Sequence, residues 1–277
     1  MLFPVLAVVG VLFLGGLALG LLQSFDYMPI IGRTRPTVQP YIDLITDPVF
    51  PRSLILTLWV SLASTALSTT LAAACAMALR RDFAGKRLIM FIFQLNIPVP
   101  HIVGATAVMF LFAQSGMLAR IAYVMNLIAE TADFPALVND RYGIGIILEY
   151  LWKSVPFTGI IVLAVLQSVS SDYENVARNL GANRWQRFRY ILWPLMLPGM
   201  LRSSILVFAF TFGTFEVPYL LGQTYPAVLP VLTYRNYHDV DLNARPEAMA
   251  MSMVITLIVV LLILAYTKLS EVFVRAE

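Results

Sequence analysis

The side chains of this sequence that could do chemistry are few, and most interrupt long apolar runs. Glu216 stands within 212–222, FGTFEVPYLLG. Buried among apolar neighbours, such a carboxylate marks a functional position by default. It can face a solute pathway walled by Phe212, Phe215 and Tyr219, or hydrogen-bond a neighbouring helix. Glu149 and Lys153 are four residues apart with the acid first, a spacing that favours mutual neutralisation over contact with a solute. His101 follows Pro98 and Pro100 and reads as a satisfied core histidine. The single cysteine, Cys75, excludes an internal disulfide and a multi-cysteine metal site. The phosphate-loop pattern G-x-x-x-x-G-K-[ST] is missing from the sequence, so the chain does not bind ATP by that device. Neither catalytic residues nor metal ligands are expected, and the basic-aromatic pattern of a nucleic-acid binder is missing too.

A second set of polar residues is crowded into one ordered interruption, 172–199, DYENVARNLGANRWQRFRYILWPLMLPG. Ser171 or Asp172 is a natural helix N-cap. Val176, Ala177 and Leu180 then give a small apolar face. Gly181 can close that helix in the left-handed conformation. Asn183 can cap a second run, in which Trp185, Phe188 and Leu192 share a face while Arg184, Arg187 and Arg189 point largely elsewhere. The expected result is two short helices jointed at Gly181, an apolar knob followed by a basic flank.

The elements that position these residues are membrane spans. The chain is 59% hydrophobic and only 13% charged over 277 residues, far from soluble usage. A spanning helix needs about 20 largely apolar residues, and six segments qualify, at about 2–22, 53–79, 88–113, 144–169, 200–221 and 248–267. The first is expected to be a retained span rather than a signal peptide, because the sequence carries no Lys or Arg ahead of it. Five prolines make 23–52 a loop with short ordered pieces. Small residues fill 61–78 and allow close helix packing. Pro98 and Pro100 interrupt the third span, tolerable only where protein or water satisfies the freed carbonyls. Residues 117–129 read as an interfacial or packed helix, too short to span, and Arg202 can snorkel from the start of the fifth span. The expectation is one all-α transmembrane domain over 1–277. With the N-terminus inside, the segments 80–87, 170–198 and 268–277 carry ten basic residues on 47 positions, against seven on 84 outside. That bias orients the chain N-in, C-in and makes 170–198 cytoplasmic.

This loop resembles the EAA loop of the permease subunits of binding-protein-dependent ABC importers: Glu-Ala-Ala, three residues, Gly, nine residues, then Ile-x-Leu-Pro. Gly181, Ile191 and Pro194 hold that spacing and Ala177 fits its second alanine. Asn175 stands at the motif's glutamate with Glu174 one residue before it, Val176 at the first alanine, and Trp193 at the leucine. Six spans with this loop between the fourth and fifth also match the family's layout. The resemblance implies a coupling helix lodged in a cytoplasmic ATPase, with Glu174, Asn175, Ala177, Leu180, Gly181, Arg184, Ile191 and Pro194 at the contact. It implies further that the chain holds no cofactor of its own, ATP and Mg being bound by a separate dimer of ABC ATPase subunits. A second permease subunit, in a heterodimer rather than a homodimer, a soluble extracytoplasmic solute-binding protein and a bacterial inner membrane complete the implied assembly. The stretch 212–235 is similar to permeases of the spermidine/putrescine subgroup, which implies a polyamine or similar cation as cargo. Sugar, iron, thiamine or aminophosphonate import are the alternatives within the family. An ion-coupled secondary carrier using Glu149, Lys153 and Glu216 as relay groups is the alternative outside it, but such a carrier has no physical need for the 172–199 loop.

Overall fold

The computed structural model describes residues 3–168 and 171–275, and these are helical or irregular, with no strand among them. In chain order the helices are α1 (Phe3–Ser24), α2 (Gln39–Thr46), α3 (Val49–Leu79), α4 (Lys86–Gln94), α5 (His101–Phe112), α6 (Met117–Val124), α7 (Ile144–Ser168), α8 (Ser171–Asn179), α9 (Arg184–Arg187), α10 (Trp193–Gly213), α11 (Glu216–Leu221), α12 (Leu229–Tyr237) and α13 (Arg245–Arg275). A π turn, Phe188–Leu192, fuses α9 to α10. Among the described residues, six helical stretches are long and apolar enough to cross a bilayer: Pro4–Ser24, Val49–Leu79, His101–Val124, Ile144–Ser168, Arg184–Gly213 and Leu242–Lys268.

Two of these depart from the sequence expectation. The third begins at His101 rather than 88, because the chain breaks between α4 and α5 and continues through α6. The run at 117–129, expected to be too short to span, thus belongs in part to that crossing. The fifth begins at Arg184 and ends at Gly213 rather than running from 200 to 221. The second half of the expected 170–198 loop is therefore the foot of a span. Pro194 does not stop it. The π turn lies just ahead of the ring, where proline has no N–H to give the α-helical ladder.

The chain folds as two compact units, and α3 and α13 contribute to both. The first comprises 1–57 and 224–261. Its core is Leu44, Leu229 and Met251, backed by Phe50, Leu54 and Val254. The hydroxyl of Thr57 donates to the Ser53 carbonyl at 2.6 Å and accepts the Leu229 amide at 2.9 Å, which satisfies one of the unpaired amides that begin α12. α1 touches α13 at Gly20, where an added Cβ would come within 3.2 Å of Met253. Most of α1 is otherwise exposed apolar surface, as suits a helix whose solvent is lipid.

The second unit comprises 58–223 and 262–277. Ala73, Ala76 and Leu79 of α3 pack against Val162, Leu163 and Leu166 of α7 and against Leu192, Met196 and Met200 around the start of α10. Small residues make the approach possible: an added Cβ at Gly159 would lie 2.7 Å from the Phe93 ring. Asp140 begins α7, its carboxylate accepting the amides of Tyr142 at 2.8 Å and Ile144 at 2.7 Å. This core lies directly under the polar loop and gives α9 and α10 a rigid base.

Candidate functional site

The loop between α7 and α10 is ordered by two local devices. α8 closes in a Schellman motif: the Gly181 amide donates to the Arg178 carbonyl at 3.0 Å and the Ala182 amide to the Ala177 carbonyl at 2.9 Å. Gly181 stands at φ 84°, and an added Cβ would meet nothing within 4 Å. Its requirement for glycine is therefore one of backbone conformation, not of space. Asn183 then opens α9 with a capping box, its side chain accepting the Gln186 amide at 2.9 Å while Gln186 accepts the Asn183 amide at 2.8 Å. The cap expected from Ser171 or Asp172 lies outside the described side chains.

What this frame presents is apolar. Tyr173, Val176, Leu180 and Trp185 are exposed, Leu180 at 83%. Phe188 turns inward, stacking between Trp185 and Trp193 with ring centroids 5.6 and 6.0 Å away. Ala177 and Ile191 are half-buried and Leu192 is buried. The two acidic-position residues behave differently. Asn175 is exposed and accepts a hydrogen bond from Arg178 at 3.3 Å. Glu174 turns back to the rest of the unit and pairs with Arg80, just past α3.

A second polar cluster lies at the break in the third span. Lys153 donates to three converging carbonyls: Asn96 at 2.7 Å, Ile97 at 2.9 Å, and Val99. Asn96 donates in turn to the Trp152 carbonyl. One turn away, the fully buried Glu149 approaches Nδ1 of His101 at 3.1 Å. Its carboxylate reaches the first turn of α5 because Gly104 leaves room; a Cβ there would lie 3.0 Å from Oε1. The expected Glu149/Lys153 neutralisation is thus replaced by a division of labour. The ammonium sits at the negative end of the interrupted helix and the carboxylate at the positive end of the helix that resumes, each favoured by the local dipole. Pro100 has no N–H to give the Asn96 carbonyl, which instead accepts the Val99 amide at 3.2 Å and the Lys153 ammonium. His101 is satisfied, as its sequence context suggested. Beside it opens a cavity of about 360 Å³ walled by His101, Lys153, Ser154, Phe157 and Phe210, with the Phe210 ring 4.5 Å from the imidazole.

The residues proposed for a pathway in the fifth span do not share one span. α10 ends at Gly213, and Glu216 is the exposed first residue of α11 rather than a group deep in a span. Phe212 is fully buried against Phe208, whereas Phe215 is half-buried and Tyr219 half-exposed. Sequence reasoning overlooked Asn96, Ser154 and Arg80. The paired prolines and the i, i+4 charges were the available signals for the first two.

Known proteins resemble the chain in sequence and in fold. The thiamine transport system permease protein ThiP of Brucella abortus (strain 2308) is 30% identical over 218 residues, 76% of this chain and 38% of that one. The match thus spans well under half the length of that relative. The inner membrane ABC transporter permease protein YcjO of Escherichia coli (strain K12) is 29% identical over 244 residues, 87% of this chain and 81% of that one. Among solved structures, a bacterial ABC transporter involved in the import of the acidic polysaccharide alginate superposes with a TM-score of 0.82 at 20% identity, covering 98% of this chain and 93% of that one. Residues 68–276 match the profile of the binding-protein-dependent transport system inner membrane component family, and the chain belongs to that family.

Proposed function

We propose that this chain is the transmembrane subunit of an ATP-driven importer, carrying a small solute from a soluble binding protein across the bacterial inner membrane by alternating access. The observation that carries this is the α8–α9 pair. It is built rigidly, with a Schellman joint and a capping box, yet its outward face is Tyr173, Val176, Leu180 and Trp185, exposed beside arginines. An apolar knob held that firmly fits a groove on another protein. A cytoplasmic ABC ATPase dimer is the partner this family position supports, with ATP and Mg on its subunits. Arg184 and Leu180 meet it directly, while Ala177, Gly181, Ile191 and Pro194 keep the joint and its foot in shape. A second permease subunit, in a heterodimer, completes the pathway.

For the cargo, we propose a polyamine or similar organic cation. The likeness of 212–235 to the spermidine/putrescine subgroup supports it, as does the exposed carboxylate of Glu216. The Brucella ThiP permeases are named for thiamine, itself an organic cation, which fits the same class. Purified permease reconstituted with its ATPase and binding protein should take up labelled spermidine, putrescine or thiamine only with ATP. Uptake by the permease alone, driven by a proton or sodium gradient, would sink the importer reading. ATP-dependent uptake of a sugar or an anion in place of all three cations would sink only the cargo.

A further inference from the structure

The Arg80/Glu174 pair joins two helix ends. Arg80 follows the last residue of α3, and its amide donates to the Ala76 carbonyl at 2.9 Å. Its guanidinium therefore sits at the negative end of that 31-residue helix. Glu174 is the fourth residue of α8, at that helix's positive end. Each charge suits its own helix as well as its partner, and the two side chains are only 22% and 23% exposed. The exposed side chains of α8 include Tyr173, Asn175, Val176 and Arg178, with Leu180 exposed just past its end. Glu174 hydrogen-bonds beyond α8, to Arg80, while Arg178 and Asn175 pair with each other on the helix itself.

We infer that Glu174 does not belong to the docking face: with Arg80 it forms a strut that passes movement of the partner-bound α8 to the end of α3. The inference rests on the reading of α8 as the helix gripped by an ATPase. α8 then has two links toward the spans that follow and precede it. Besides the chain that enters it from α7, one is covalent, through α9 and the π turn into α10, and the other is ionic, into α3. Glu174 and Arg80 are positioning residues. The pair lies at the cytoplasmic edge of the unit, apart from the apolar core of α3, α7 and α10, so its loss should disturb the placement of α8 rather than the fold.

Two measurements test the strut. In the permease alone, with Cys75→Ser, spin labels at Arg81→Cys and Asn179→Cys should report one narrow distance. Glu174→Gln should broaden it, and the exchanged pair Arg80→Glu/Glu174→Arg should narrow it again. In the assembled transporter, Arg80→Gln and Glu174→Gln should each lower solute taken up per ATP hydrolysed by roughly tenfold, with ATPase association held within about threefold and the exchanged pair recovering most of the loss. An unchanged distance in Glu174→Gln overturns the inference, because the pair then does not place α8. So does weakened ATPase association that the exchange fails to restore, since Glu174 then touches the ATPase itself. If the wild-type assembly takes up nothing with ATP, it is the importer reading that fails, while the distance measurement still reports on the pair.

Discussion

At the scale of single residues, Gly181 carries the sharpest requirement. Its φ of 84° places it in the left-handed region with open space where a side chain would stand. Substitution therefore costs backbone strain of about 1–2 kcal/mol for an ordinary residue, more for a β-branched one, and no clash. Gly181→Val should uncouple ATP hydrolysis from uptake while the spans stay folded, and Gly181→Asn, which tolerates that conformation, should retain most coupling. The ratio of solute moved to ATP hydrolysed checks both; equal coupling in the valine variant would mean the joint does not matter. Glu216→Gln is a different case, because the exposed residue at the head of α11 adds only about 0.3–1 kcal/mol through the helix dipole. Its neutralisation should leave the melting temperature nearly unchanged and raise the KM for a cationic solute several-fold; an unchanged KM assigns Glu216 to the helix terminus alone. Gly181 was legible in the sequence because its demand is local, a helix stop followed by an asparagine cap. The partners of Glu149 and Lys153 were not. Their spacing on one helix says that they can meet, but not that carbonyls some 54–57 residues away compete for the ammonium.

At the scale of elements, the break between α4 and α5 shows how a membrane helix can be interrupted and still be satisfied. Lys153 spends its three donors on carbonyls at the break, and Glu149 faces the turn where the helix resumes. Lys153→Met should take the ammonium from all three carbonyls, of which that of Asn96 keeps the Val99 amide, at about 1–3 kcal/mol for each one left with neither donor nor water. The purified variant should melt earlier and lose uptake, yet still bind its ATPase through α8 and α9. Lys153→Arg should rescue only in part, since a planar fork cannot aim at three converging oxygens as an ammonium does. Unaltered melting in the methionine variant would show that the break is held elsewhere. The two prolines announced the interruption from sequence, and the need for donors followed from the solvent. Element boundaries were less legible where hydrophobicity is continuous. Residues 200–221 are interrupted only by Arg202, Ser203, Ser204, Thr211, Thr214 and Glu216 among charged, hydroxyl-aliphatic and amide side chains, so composition could not show α10 stopping at Gly213. Nor could it show that the arginine-rich foot from Arg184 continues into the span, which depends on a π turn and on Leu192 and Met196 finding the core beneath them.

At the scale of the whole molecule, composition alone was enough for the class, because a chain this apolar has only helices or closed barrels available in lipid, and its periodicity offers no strands. Orientation rests on a different property, the uneven placement of Lys and Arg, and it decides the biology: the knob on α8 can meet a cytoplasmic ATPase only if 170–198 lies inside. Three exposed positions make this measurable. Leu180 is 83% exposed on the loop, while Ile30 and Val240 are 93% and 98% exposed on segments assigned to the outside. With Cys75→Ser as background, each can be replaced singly by cysteine without disturbing a core. A membrane-impermeant maleimide should label Ile30→Cys and Val240→Cys in right-side-out vesicles and Leu180→Cys only in inside-out ones. Adding the partner ATPase to inside-out vesicles should then protect Leu180→Cys and leave the other two unaffected. Labelling of Leu180→Cys from the outer face would reverse the topology and, with it, remove the partner from reach. Labelling from the inner face without protection would keep the topology and place the ATPase contact elsewhere on the cytoplasmic surface.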